Sequence, residues 1–347
     1  MNQTSLNMNY EPEVVVDTDT LSREDWLSYR KLGIGGSDVA AIMGISPFAT
    51  IRDLYNDKVG IEPLIEEESN WVAKEVGHRL EDLVAEIFAK KTGLTVFPVR
   101  KMFRHPLYPF MVADVDFFII FPDGSYGILE CKTCNYNART KWEDGGIPEH
   151  YVLQVRHYLS VMNMEKAYIA CLYGNNENEF VIRAIERDLM EEEDIISQEQ
   201  YFWKEYVEKH VEPPYNGKPD LILASIRKYG GYADKDLPEM EISALSSVNL
   251  EKYLVLSEEK SQLEKRKKEI EAMQRELSVP FVEQLGASCK AVLSDGISRY
   301  RITYNPTRRT QVGKDAMEKL KIQHPDIFEE YTKTTESRTF RVKKEAA

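Results

Sequence analysis

No stretch of the sequence approaches the roughly 20 consecutive apolar residues that a membrane helix requires. The first residues, MNQTSLNMNYEPEVVVDTD, have neither the basic stretch nor the apolar core of a secretion signal. The expected setting is therefore the cytoplasm, with no membrane partner. Cysteine is scarce: of Cys131, Cys134, Cys171 and Cys289, only the first two share C-x-x-C spacing. No second pair or histidine cluster completes a ligand set, so neither a zinc nor an iron–sulfur site is expected. Internal repeats and polar low-complexity tracts are also missing. A hydrophobic content of 42% with 30% charged residues is that of an ordinary globular chain.

Positive charge is in deficit as well. A formal net charge of -13 counts against a uniformly basic nucleic-acid coat. The deficit is uneven, however: residues 246–347 carry 20 Lys and Arg against 16 Asp and Glu, whereas residues 1–245 carry 25 against 42. An acidic first part suited to a cation and a basic last part suited to DNA is one reading, and solvated charged faces are the other.

A chain of 347 residues exceeds what one core usually serves, so a main domain of about 200 residues and a smaller second unit are expected. Residues 1–21 are polar and aperiodic, which predicts a flexible arm. Ser22 caps a first helix, and Gly44 and Pro47 punctuate two short helices between Ser37 and Val59. Val76, Leu80, Leu83, Val84, Ile87 and Phe88 recur at helical spacing between Trp71 and Lys91. Strands are expected at Thr95–Val99, Phe110–Phe121 and Tyr126–Thr133, the last two joined as a hairpin through Pro122-Asp123-Gly124-Ser125. A helix from Pro148 to Met162, strands at Ala167–Tyr173 and Glu179–Ile185 and a helix from Leu189 to His210 complete the domain. This order implies an α/β (α+β) fold with a mixed sheet covered by helices.

The stretch VEPPYNGKP, residues 211–219, marks the clearest break in the chain. The expected division is a main domain at 22–212, a linker at 213–245 and a small C-terminal α+β domain at 246–347. That last domain begins with a long helix, Asn249–Leu277, in which Leu256, Leu263, Ile270 and Leu277 are spaced by seven. One apolar residue per heptad is too thin for a dimeric coiled coil. A hairpin around Ser294-Asp295-Gly296 and a helix near Lys314–Lys321 follow.

Chemistry concentrates in MVADVDFFIIFPDGSYGILECKT. Side chains at i and i+2 share one strand face, so Glu130 and Lys132 project together, roughly 6 to 7 Å apart at the root. The hairpin brings Asp116 alongside. Asp116, Glu130 and the backbone carbonyl of Cys131 are hard oxygen ligands suited to Mg²⁺ or Mn²⁺, and Lys132 can orient a water or stabilise developing charge. An exposed cross-strand ion pair is the bland alternative. It is disfavoured by the apolar Ile128 and Leu129 and by the acid on the adjoining strand. Glu81 flanks the buried stripe of its helix and is either a further ligand or a solvated glutamate; His78 falls on the outer side. Gly35-Gly36-Ser37 at a helix start offers amides and a hydroxyl to an anion, or is a plain capped turn.

The motifs IGGSDVAAIMGISPF, GHRLED, ADVDFF, ILECKT and YVLQVRHYL, in this order, resemble the YqaJ-like viral recombinase family, relatives of phage lambda exonuclease. The resemblance spans about residues 22–175. It implies the PD-(D/E)XK restriction-endonuclease-like fold and a Mg²⁺-dependent exonuclease, with two ions per site, that digests linear duplex DNA ends 5′ to 3′. The 3′ single strand left would pass to a RecT/Redβ-like single-strand annealing protein, and a homo-oligomer, a trimeric ring, is implied too. By position, Glu81 resembles the family's helix acid, Asp116 and Glu130 its metal ligands, Lys132 its catalytic lysine and Gln154 the glutamine lining the site. Arg30 and Ser37 resemble the group that captures a 5′-phosphate, with Gly35, Gly36 and Tyr158 beside it. Lys31 is an extra residue there, so the base that serves is Arg30 or Lys31. Val115 stands where the signature has proline.

Beyond Tyr215 the lambda-type enzyme gives no guide. Arg299 and Arg301 alternate with Tyr300, Ile302 and Tyr304, and Arg308 and Arg309 follow. This is either a DNA contact or an amphipathic strand packing its tyrosines on the long helix. Two other functions compete: a Cas4/RecB-like or restriction-type endonuclease on the same core, and a non-catalytic DNA-binding accessory protein. The lone cysteine pair disfavours a Cas4-like enzyme, and the intact Asp116, Glu130 and Lys132 disfavour the accessory protein.

Overall fold

The computed structural model describes residues 6–65, 71–234, 236–243 and 247–332, and the chain divides into two compact units, Met1–Tyr232 and Ala233–Ala347. In the first unit a three-stranded antiparallel sheet has the order β1-β3-β4, with β1 at Glu13–Asp17, β3 at Lys101–Arg104 and β4 at Val112–Asp114. The main sheet has five strands in the order β2-β5-β6-β7-β8: Thr95–Phe97, Phe117–Ile120, Tyr126–Thr133, Lys166–Leu172 and Phe180–Glu186. There β6 and β7 run parallel and the other neighbours antiparallel, so the sheet is mixed, as expected.

Helices cover both faces of this sheet. Leu129, Cys131, Ala170 and Leu172 pack with Val84, Ala85 and Phe88 of α4 (Trp71–Thr92). The alternate residues Ile128, Ala167, Ile169 and Cys171 pack with Val155 and Leu159 of α5 (Glu149–Met162). The period-2 alternation of buried strand residues thus sorts them between two cores. Three short helices, α1 (Arg23–Lys31), α2 (Gly36–Ile42) and α3 (Ile51–Val59), precede α4, and α2 packs on α5. The turn between α1 and α2 is zipped to the small sheet: Ile34 N donates to Phe110 O (2.6 Å) and Val112 N to Ile34 O (2.9 Å). Beyond β8, α6 (Leu189–Tyr201) runs into a wider π turn at Phe202–Val207.

Three expectations are corrected. Residues 13–17 of the predicted flexible arm are β1, pairing with β3 through Glu13↔Arg104 and Asp17↔Lys101, a partner some ninety residues away that no local pattern announces. The single strand expected over Phe110–Phe121 is two, β4 and β5, in different sheets, and Asp116 sits at the break. The expected linker from 213 begins instead as part of the first unit. Pro213 O accepts from Arg52 Nε (3.0 Å), Asn216 Nδ2 donates to Ile42 O (2.9 Å), and Ser225 of α7 (Pro219–Gly230) is buried.

The second unit opens with the long helix α8 (Ser247–Leu285), followed by the hairpin β9 (Lys290–Ser294) and β10 (Arg299–Thr303), then α9 (Lys314–Gln323) and α10 (Pro325–Tyr331). The heptad-spaced Leu256, Leu263, Ile270 and Leu277 of α8 are all exposed. Tyr300, Ile302 and Tyr304 line a groove with Phe281 and Leu285 of α8, so the aromatic face of β10 turns toward that helix. Arg299, Arg301, Arg308 and Arg309 are exposed. No helix among the described residues is long and apolar enough to cross a membrane.

Candidate active site

Glu130 and Lys132 occupy alternate positions of β6 and meet, the Lys132 ammonium donating to Glu130 Oε1. The same oxygen accepts from Gln154 Nε2 of α5 (2.6 Å), and that amide also donates to Tyr158 OH (3.2 Å). Lys132 Nζ lies 4.9 Å from the centre of the Tyr151 ring, a cation–π contact. Asp116, at the break between β4 and β5, is fixed through Oδ2, which accepts from Cys131 N (2.9 Å). Glu130 Oε2 is buried without a hydrogen-bond partner. Such an orphan is costly unless something else binds it.

The electrostatics point the same way. Burial pushes the Asp116 carboxyl up to about 7, reinforced by the charge of Glu130 and offset in part by Lys132. Glu81 is likewise raised to about 7 by burial and by Asp116. Burial also raises Glu130, against the pull of Lys132. Burial works to lower Lys132, but Glu130 and Asp116 outweigh it and hold the amine above its ordinary value. Crowded carboxyls that resist ionisation, with one oxygen unpaired, fit a divalent cation, which would favour their charged forms. As they stand, Asp116 and Glu130 are turned to Cys131 N and to Lys132 and Gln154. Among the described residues no three His, Cys, Asp or Glu side chains are gathered closely enough to hold an ion.

A cavity of about 520 Å³ connects Glu81, Lys132 and Gln154 with the turn after α1; the buried Asp116 and Glu130 are not among its lining residues. Glu81, Lys132, Cys131 and Gln154 line one part, Arg30 and Ser37 another, and Phe48, His150 and Tyr151 contribute aromatic surface. Glu81 therefore reaches the site; His78 is mostly exposed and lies 3.5 Å from it. Arg30 Nη2 donates to Ser37 Oγ (2.8 Å) inside this cavity. Lys31 lies on a neighbouring cleft, 3.8 Å from Glu62, whereas Arg30 lines the cavity that also holds Glu81 and Lys132. The Gly35 amide, expected free for an anion, is taken by Asp38 Oδ2 (3.0 Å). Gly36 is where α2 touches α5: a Cβ there would stand 2.7 Å from Tyr158 Cε1 and 2.8 Å from Gln154 O.

Sequence reading missed Tyr151, His150, Phe48, Asp38 and Lys58. Asp38 had a local signal, as the acid at the third position of α2, whose side chain accepts from the N-cap amide of Gly35. Burial lowers His150 to about 4, so its imidazole is neutral, edge-on to Phe48 at 5.8 Å.

The YqaJ-like viral recombinase domain matches residues 25–165. Over 333 residues the chain is 33% identical to the YqaJ protein of Bacillus subtilis (strain 168), covering 95% of this chain and 97% of that one. The match thus continues through the C-terminal unit, where the sequence motifs gave no guide. Among solved structures, the alkaline exonuclease LHK-Exo of Laribacter hongkongensis is similar at 20% identity and a TM-score of 0.45, covering 55% of this chain and 94% of that one. A phage-related exonuclease of Haemophilus somnus 129PT is similar at 15% identity and a TM-score of 0.38, covering 53% and 99%. By its full-length identity to the Bacillus protein and its match to the domain, the chain belongs to the YqaJ-like viral recombinase family.

Proposed function

We propose that the protein is a divalent-metal-dependent DNA nuclease that degrades linear duplex from its ends, 5′ to 3′, leaving 3′ single strands for a RecT/Redβ-like annealing partner. The observation that carries this reading is the single cavity in which Glu81, Lys132 and Gln154 stand together with Arg30 and Ser37. Asp116, Glu130 and the Cys131 carbonyl would hold Mg²⁺ or Mn²⁺, with Glu81 as a further ligand. The ion would polarise the scissile phosphate and acidify a water. Gln154 orients Glu130 through Oε1 and leaves Oε2 for the cation. Lys132, kept protonated, stabilises charge developing on the phosphate oxygens. Arg30 and Ser37 present donors to a 5′-phosphate, which sets the end of the strand in register with the carboxylates.

The test is incubation with Mg²⁺ and end-labelled linear and circular duplexes. Linear DNA is expected to be digested and circles spared. Lys132→Ala, Glu130→Gln and Asp116→Asn are each expected to lower cleavage by about a hundredfold or more with the fold retained. Cleavage of circles at the linear rate would make the protein an endonuclease, and wild-type activity in any of the variants would remove that residue from the site.

A further inference from the structure

Arg30 is held at both ends by one ion cluster that the chemistry above does not use. Its guanidinium Nη2 lies 3.1 Å from Asp38 Oδ1 while donating to Ser37 Oγ. Its main-chain oxygen, at the C-terminal end of α1, accepts from Lys58 Nζ of α3 (3.0 Å). Lys58 Nζ also pairs with Asp38 Oδ2 (2.9 Å), and Gly35 N donates to that same oxygen. One ammonium and one carboxylate thus tie together the end of α1, the start of α2 and the end of α3, and both converge on the residue that faces the cavity.

The Lys58 side chain is 1% exposed and that of Asp38 13%. Burying an ammonium is a costly way to join three helices when an apolar side chain would fill the same space. What the ion cluster adds is direction. The Asp38 carboxylate holds the guanidinium at Nη2, and Lys58 satisfies a helix-terminal carbonyl of α1. Burial would raise the Asp38 carboxyl, but Lys58 and Arg30 outweigh it and hold it below the usual carboxylate range. Two cations share this carboxylate, with Asp57 and Asp114 as further negative charges acting on Arg30. Lys58 is also 3.7 Å from Asp57, which is half exposed and weakly coupled.

We infer that Lys58 and Asp38 are positioning residues for Arg30, setting how strongly the protein distinguishes a 5′-phosphorylated end from a 5′-hydroxyl end. This rests on the reading of Arg30 and Ser37 as the phosphate-binding group, and the experiment separates the two. Initial rates on linear duplexes with 5′-phosphate and 5′-hydroxyl ends are measured for the wild type, Arg30→Ala, Lys58→Met, Lys58→Arg and Asp38→Asn, with thermal melting of each. Arg30→Ala is expected to abolish most of the phosphate preference. Lys58→Met and Asp38→Asn are expected to reduce it about tenfold, the loss appearing in KM on phosphorylated ends more than in kcat, and Lys58→Arg to restore part of it. A merely structural role would lower the melting temperature and leave the ratio between the two ends unchanged. A wild-type ratio in both Lys58→Met and Asp38→Asn, with the ratio lost in Arg30→Ala, overturns the positioning role and leaves the phosphate pocket standing. A wild-type ratio in Arg30→Ala overturns the pocket and this inference with it. If Lys58→Met does not fold, the isosteric Asp38→Asn decides the matter.

Discussion

Replacing by alanine Gly36, at the α2–α5 contact, or Gly77, which lines the cavity, should move stability in opposite directions. At Gly36 the added Cβ would meet Tyr158 Cε1 at 2.7 Å, Gln154 O at 2.8 Å and Gln154 Cγ at 3.0 Å. Carbon contacts are comfortable at about 3.5 to 4.0 Å, so α2 must retreat from α5 by roughly 0.7 Å, because a main-chain oxygen inside a helix cannot step aside. Overpacking of this kind costs about 1 to 3 kcal/mol. The residues pushed are Gln154 and Tyr158, the first of which orients Glu130, and a misplacement approaching 1 Å can cost up to about a hundredfold in rate. Gly77, inside α4, is the contrast: its Cβ would find only Thr133 Oγ1, at an ordinary 3.7 Å. Alanine there removes the entropic cost of a helical glycine and should add about 0.5 to 1 kcal/mol. Its methyl would still enter the cavity that Gly77 lines, so cleavage should fall although stability rises. Urea unfolding at constant slope, paired with initial rates on end-labelled duplex, reads both quantities. A Gly36→Ala midpoint at or above wild type would show that the α2–α5 approach is looser than described. A loss of stability in Gly77→Ala would show that α4 is strained where it has been taken as relaxed.

A fragment ending at residue 232 should unfold at higher urea than one ending at 212, because the shorter piece loses the Pro213 and Asn216 bonds and the buried Ser225; equal midpoints would mean that residues 213–232 contribute nothing to the first unit. Acid should weaken the first unit through His105, which burial lowers to about 4 and whose Nδ1 accepts from the amides of Leu107 (3.1 Å) and Tyr108 (3.3 Å). The unfolded chain takes up that proton near 6.5, so this stabilisation is complete above about pH 6.5 and is lost as pH falls toward 4, a change on the order of 2 to 3 kcal/mol. Denaturation midpoints at pH 7 and pH 5 measure it, and a His105→Gln variant with the same pH slope as wild type would assign the slope to another group.

The parts of the fold that could be read from sequence were those carried by local period. The stripe from Val76 to Phe88 gave α4, and the alternation in YGILECKT placed Glu130 and Lys132 on one face of β6, where they meet. Gln154 is marked by its resemblance to the family's glutamine, and from that residue to Met162 α5 is buried at every position but Arg156. What stayed hidden depends on distant partners. EVVVD has no turn signal tying it to β3, so β1 reads as an arm. The run from Phe110 to Phe121 is apolar apart from Asp114 and Asp116, and it has no turn residue to mark the change of sheet between Asp114 and Phe117. Lys58 looks like any basic residue in the last turn of a helix, and only the packing of α3 against the end of α1 makes it a partner of Arg30.

That change of sheet gives Asp116 an unusual anchorage. On one side β4 is clamped by the Ile34 bridge and by the buried His157, whose Nε2 lies 2.9 Å from Val112 O while its Nδ1 lies 2.8 Å from Glu199. On the other side β5 is fixed by its ladder to β6, from Phe117↔Leu129 to Ile120↔Tyr126. A one-residue slip of β5 would exchange Phe118, packed in one core, with Phe117 and Ile119, packed in the other, so that ladder is held in register. The short span between Asp114 and Phe117 therefore works as a ruler. One residue added or removed there would swing Asp116 away from Cys131 N, whereas the turn at Pro122–Ser125 can lengthen with no effect on it.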